Sequence, residues 1–135
     1  MTEERGIENL KIQQLAWDAA DFEKYLQGMR RKHNTVPLAL FMDQLSVHRA
    51  KTVKPWYNTL NIRPIYNVGY SPEFNPIESV FSRVKFHFNK TRLNDIVNRR
   101  GFNFDRTIEA AFREITVEHC RAVVRKSTAL LEKAC

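Results

Sequence analysis

Leu38, Ala39, Leu40, Phe41 and Met42 form an unbroken apolar run that stops at Asp43. A run this short and continuous reads as a strand buried on both faces, as in a sheet covered by helices. Its neighbours have a different period. Phe22, Tyr25, Leu26 and Met29 recur on one helical face after Asp18, which predicts a helix over 19–32, and Asn34, Thr35 and Pro37 break it. Val53, Trp56, Tyr57 and Leu60 stand at i, i+3, i+4 and i+7 and predict a second helix. Ile62 to Val68 reads as another strand, in which Pro64 favours a sheet edge or an irregular start. Strand, helix and strand in that order make a β-α-β unit with a right-handed crossover. The fold class expected is α/β, a β-α-β core with flanking helices and a helical C-terminal tail.

The chain leaves the second strand through Gly69, Tyr70, Ser71 and Pro72. Asn75, Pro76 and Glu78 then suit the N-cap, N1 and N3 positions of a helix whose Ile77, Val80, Phe81, Val84 and Phe88 line one face. Thr91 to Asn103, polar and holding Gly101, reads as a mobile connector. Asp105 is the expected cap of a further helix through Ile108, Ala111, Phe112 and Ile115, and Thr116 that of a last segment through Cys120, Val123, Val124, Leu130 and Leu131. Residues 1–17, with Ile12, Leu15 and Trp17 as candidate core positions, read as a tether or short strand. A single domain over 1–135 is expected, with its core at 18–90 and the connector and helical tail at 91–135.

The 22 Lys and Arg outnumber the 15 Asp and Glu, so the net charge is +7, which favours a polyanionic partner, nucleic acid first. No apolar run approaches the roughly 18 residues needed to cross a bilayer, and Glu3 and Glu4 stand where a signal peptide would be basic. Cys120 and Cys135 have no CxxC or CxxxxH companion, so neither a zinc site nor a disulfide framework is signalled. An intracellular, reducing setting follows, the nucleus in a eukaryote and the cytoplasm otherwise. The basic cluster Arg30, Arg31, Lys32 and His33 suits the C-terminal end of a helix better than an import signal.

Asp43 lies where open α/β sheets place ligands, beyond the carboxyl end of a strand, with Ser46 and His48 in the following loop. An Asp there equally serves a turn. Glu78 at N3 can reach back to the N-cap backbone as in a capping box, or join Asp43 on a hard divalent cation. Spacing leaves both pairs of readings open.

Read together, Asp43-Gln44-Leu45-Ser46-Val47-His48-Arg49 and Tyr70-Ser71-Pro72-Glu73-Phe74-Asn75-Pro76-Ile77-Glu78 resemble the paired signature of mariner-type DDE transposases and their bacterial insertion-sequence relatives. In that family the second catalytic Asp opens an Asp-Asn-x-x-x-His segment and the third acid closes Tyr-Ser-Pro-x-x-Asn-Pro-Ile-Glu. The 34 residues from Gln44 to Ile77 are a spacing the family uses. Gln44 replaces the usual Asn and Gly69 a common Pro, neither at a metal ligand.

The resemblance, over about residues 19–90, implies a ribonuclease H-like fold, DNA as substrate, and Asp43 and Glu78 as catalytic ligands of two Mg²⁺ or Mn²⁺ ions held by three carboxylates. His48, Arg83, Lys85, Arg92, Arg99 and Arg100 are the candidate DNA contacts. The family's first catalytic Asp lies on a strand well upstream of the second. Only 42 residues precede Asp43, and Asp18 and Asp21 fall in the helical region. The expectation is a partial DDE strand-cleavage and transfer domain, truncated or completed by a second chain that supplies the missing strands and Asp, and inactive alone. The alternative is a domesticated, catalytically inactive module that binds protein or DNA.

Overall fold

The computed structural model describes residues 1–8, 10–12 and 16–134. Leu15, an expected core position, and Cys135 lie outside the described residues. The elements in chain order are α1 (Ala19–Lys32), β1 (Leu38–Met42), α2 (Lys54–Thr59), β2 (Ile62–Tyr66), α3 (Pro76–Val97), α4 (Phe104–Arg113) and α5 (Val117–Ala134), with short 3₁₀ turns at Val47–Arg49 and Pro72–Phe74. They fall into two compact units. Gln13–Pro72 form a sheet unit; Met1–Ile12 with Glu73–Cys135 form a helical unit.

In the sheet unit, α1 begins with a reciprocal capping box. The Asp21 N–H donates to Asp18 Oδ1 at 2.8 Å, and the Asp18 N–H reaches Asp21 Oδ2 at 3.5 Å, which satisfies two of the donors a helix start leaves open. Asp18 and Asp21, the two Asp residues upstream of Asp43, are therefore engaged at a helix start. At the other end, the Arg30 guanidinium donates to the carbonyls of His33, Val36 and Asn61 at 3.0, 3.0 and 2.7 Å. A cation at a helix C-terminus is thereby tied to the residue before β2.

The two strands pair in parallel, from Leu38 with Ile62 to Met42 with Tyr66, as the strand-helix-strand order predicts. Phe22, Leu26, Met42, Val53, Tyr57 and Ile62 form the buried cluster, against which Leu38, Leu40 and Tyr66 pack. This covers one sheet face only. Ala39 and Arg63 are exposed, and Ile65 is 40% exposed, so the expectation of a strand buried on both faces is corrected. The helices and the inward residues of both strands share a single cluster, and alternate residues of a strand point to opposite faces. β2 also ends at Tyr66, short of Val68, because the Asn67 side chain turns the chain by donating to the Ser71 carbonyl at 2.7 Å.

The helical unit packs around Val80, Val84, Ala111, Ile115 and Cys120, with Met1 and Ile7 against them. Met1 and Ile7, in the stretch read as a tether or short strand, thus pack into this core. Thr2 and Gly6 exchange backbone hydrogen bonds of 2.9 and 3.0 Å around a tight turn in which Gly6 has φ 70°, a conformation glycine adopts without strain. Glu3 pairs with Arg125 at 2.7 Å.

Asn75 caps α3 by accepting from the Ile77 N–H at 3.3 Å, with Pro76 following. The helix then runs through Val97, so the connector expected from Thr91 is helical for its first seven residues. No Gly or Pro interrupts Ile77 to Arg100, and backbone bonding continues without an apolar face to mark it. It closes with a Schellman motif: Arg99 N–H donates to Ile96 O at 3.1 Å and Arg100 N–H to Asp95 O at 2.8 Å, with Arg99 at φ 52°. Asn103, not Asp105, caps α4, accepting from the Arg106 N–H at 2.9 Å. Asp105 falls inside the first turn, where its charge suits the dipole. Thr116 takes its expected place before α5, accepting from the His119 N–H at 3.3 Å.

Arg99 sits in the left-handed region, which costs a non-glycine residue roughly 1 kcal/mol. Arg99→Gly should therefore raise stability by about that amount in urea melts followed by far-UV circular dichroism. Tyr57, 4% exposed, donates to the His48 carbonyl at 2.8 Å. Burial first, then its hydrogen bond and charge interaction with Tyr66, push its phenol well above the ordinary tyrosine value. An unfolded Tyr loses its proton near pH 10 while the folded one keeps it, so the contribution of this group is present below about pH 10 and lost as pH rises beyond it. Tyr57→Phe should cost about 1 kcal/mol near neutrality. It should also fall less steeply in stability between about pH 9 and about pH 11 than the wild type. Tryptophan fluorescence reads this directly, since Trp17 and Trp56 both lie in the sheet unit.

Candidate active site

β1 delivers Asp43 to the end of the sheet, and the chain then turns through Gln44 to Ser46 into the 3₁₀ turn that carries His48. The Asp43 side chain is 42% exposed and that of His48 only 17%. His48 Nδ1 lies 2.9 Å from Asp43 Oδ1 and 3.2 Å from the Asp43 carbonyl oxygen. A carbonyl and a carboxylate only accept, so Nδ1 carries the proton and donates to both. Asp43 Oδ1 also accepts from the Leu45 N–H at 3.3 Å, the turn contact expected of an Asp after a strand. Among the described residues Oδ2 has no hydrogen-bond or ion-pair partner.

His48 is held from three further directions. Its ring packs on Phe22 of α1, centroids 4.7 Å apart. Its carbonyl accepts from Tyr57 of α2 at 2.8 Å and from Tyr66 of β2 at 3.2 Å. The residue read from the sequence as a DNA contact is thus turned inward against Asp43.

Asn67 binds the rest of this rim. Its N–H donates to Met42 O at 2.8 Å, its carbonyl accepts from Gln44 Nε2 at 2.8 Å, and its amide nitrogen holds the Ser71 carbonyl. Gln44, the substitution in the Asp-Asn-x-x-x-His pattern, therefore bridges the two strand ends, and its Oε1 accepts from Arg49 at 3.3 Å. Sequence reasoning passed over Asn67; the available signal was an amide residue near the end of the expected strand Ile62 to Val68. Tyr70, next in the turn, is fully exposed with φ 58°, a strained conformation for a side chain of that size.

Glu78 lies in the first turn of α3 in the helical unit and is exposed. Asn75 alone caps this helix by side chain, and no capping box forms. Among the described residues the Glu78 carboxylate makes no ion pair or hydrogen bond, so its stabilising role as a box partner is absent.

Arg83, Lys85 and Arg92 are exposed along α3, and Arg99 and Arg100 at its C-terminal end. Arg92 stands over the Phe102 ring, 5.9 Å from its centroid. A cleft of about 500 Å³ among Arg5, Ile7, Phe112, Arg113 and Val117 contains none of the candidate site residues. Cys120 is fully buried in the helical core, and that burial raises its thiol pKa.

Asp43 Oδ2 and the Glu78 carboxylate are hard oxygen donors of the kind Mg²⁺ and Mn²⁺ prefer, so the donor chemistry fits. Their number falls short: among the described residues no three His, Cys, Asp or Glu side chains are grouped to hold an ion. Nor, among them, is any helix long and apolar enough to cross a membrane. No curated protein and no solved structure matches the chain. Residues 1–98 match the family model described as DDE superfamily endonuclease, a span that includes both acids and the segments around them. With that match over most of its length, the chain belongs to the DDE superfamily endonuclease family.

Proposed function

We propose that this chain contributes Asp43 and Glu78 to a DDE-type centre for DNA strand cleavage and transfer, the chemistry of transposition and integration, within a ribonuclease H-like domain that residues 1–135 represent in part. The observation that carries this reading is the Asp43 carboxylate. It follows a strand packed on one face, one oxygen is tied down and the other is without a partner among the described residues, inside a segment matched by the family. Asp43 and Glu78 would hold Mg²⁺ or Mn²⁺, which when bound supplies charge stabilisation at a scissile phosphate and activation of water or a 3′-hydroxyl. The third carboxylate of such a centre would come from a strand outside these residues. A protein with this role works where DNA is, in the nucleus of a eukaryote or otherwise in the cytoplasm.

DDE endonuclease domains act on DNA, and the charge distribution suits that substrate. Between Ser79 and Phe104 stand six cations, Arg83, Lys85, Lys90, Arg92, Arg99 and Arg100, against one acid, Asp95, a balance of +5 out of the chain's +7. A second reading, an inactive module retained for binding, draws on the absence of a three-acid group among the described residues.

DNA binding should be weak, indifferent to sequence and steeply salt-dependent, because cations that neutralise phosphates release counterions. In fluorescence-anisotropy titrations across salt concentrations, replacing Arg99 and Arg100 by Ala should reduce the slope of log affinity on log salt by about two, without changing sequence preference. Affinity that ignores salt counts against the surface.

The chain alone should neither nick nor join DNA with Mg²⁺ or Mn²⁺, since a two-metal centre short of one carboxylate loses several kcal/mol of transition-state stabilisation, tenfold in rate for each ~1.4. A fragment bearing the missing strand and its Asp should restore activity, and Asp43→Ala or Glu78→Ala should abolish it again. In a crystal soaked with Mn²⁺ the two carboxylates should lie within about 8 Å of each other around the ions. Activity that no added fragment restores favours the binding module. Nicking by the purified chain, lost in both Ala variants, would show the centre already complete.

A further inference from the structure

We infer that His48 is the positioning residue of Asp43, its Nδ1–H fixing one carboxylate oxygen so that the other is presented, already ordered, to a divalent cation. The inference rests on the metal reading of Asp43 and names a residue that acts on the cation only through it. Both acceptors of Nδ1 belong to Asp43, the side-chain oxygen at 2.9 Å and the backbone oxygen at 3.2 Å. A carboxylate on a single-bonded carbon otherwise turns through a broad range of χ2. Two contacts on Oδ1, from His48 and from the Leu45 N–H at 3.3 Å, narrow that range and leave Oδ2 without a partner among the described residues.

His48 is itself over-determined. Phe22 backs its ring, and two tyrosine hydroxyls from different elements hold its carbonyl. Closing a turn needs less: the Leu45 N–H already serves Asp43 in that way, and an apolar residue at 48 would fill the space beside Phe22. A donor aimed at the carboxylate adds orientation, the contribution that hydrogen-bonding partners make to metal ligands.

The test uses the full chain and Mn²⁺ alone, read by paramagnetic broadening of backbone amides near residue 43, which detects weak sites. Wild type should broaden there and Asp43→Asn should not. His48→Ala should need about 10-fold more Mn²⁺ for the same effect, the lower end of what losing such a partner costs a metal site. His48→Asn, whose amide nitrogen can take the place of Nδ1, should restore most of the loss. Proton–nitrogen correlation on the wild-type ring requires no variant to fold, and should show the proton on Nδ1. An Nδ1 without a proton, or His48→Ala titrating like wild type while Asp43→Asn loses the effect, overturns the inference and leaves the metal reading intact. Equal broadening in wild type and Asp43→Asn overturns both.

Discussion

The polar end of the sheet depends on the register of two short parallel strands. Because Met42 faces Tyr66, Asp43 and Asn67 leave the sheet at the same step, and Asn67 can reach Met42, Gln44 and Ser71 together. A slip of one residue would carry Leu38, Leu40 and Met42 to the open face. It would also part Asn67 from Met42 and Gln44. Packing of the inner face and placement of the acid are thus one constraint, enforced by apolar burial on one side and by a buried amide on the other.

That constraint explains why the loop after Asp43 is ordered without any disulfide or long element to brace it. Gln44 is tied to β2 through Asn67, and His48 is tied to α2 and β2 through its carbonyl and to α1 through its ring. Every element of the sheet unit bears on a loop of a few residues. Glu78 contrasts with it, standing on the exposed first turn of a helix whose cap is a neighbouring Asn. One acid is built into its surroundings and the other is free to move about its own bonds.

How much was legible in the residues depended on whether the signal was local. Asp18 before Phe22, and Asn75-Pro76 before Ile77, are short-range signals of helix starts, and both are used as read. The apolar run Leu38 to Met42 announced a strand but not how many layers would cover it, because an unbroken run looks the same whether one face or two are packed. The second half of α3 was hidden for the opposite reason: Arg92, Leu93, Asn94, Ile96 and Val97 are all exposed, so no amphipathic stripe distinguishes helix from connector. Gly101 drew attention as the breaker, while Arg99 makes the left-handed turn. The Asp43–His48 contact was visible only as the Asp-x-x-x-x-His spacing of a family pattern; which way the ring turned needed Phe22, Tyr57 and Tyr66, contributed from up to 26 residues away in sequence, His48 to Phe22.

The two rims of the sheet differ in what they offer to another backbone. In a parallel ladder successive residues direct their peptide groups to alternate sides, and since Asn67 N–H meets Met42 O, Ile62, Pro64 and Tyr66 face away from β1. Pro64 has no N–H to give, so a ladder on that flank is interrupted at its centre. The outer flank of β1 carries no proline from Leu38 to Met42. Any extended segment that lengthens this sheet therefore meets one blunted side and one continuous row of donors and acceptors, and the continuous row ends at Asp43.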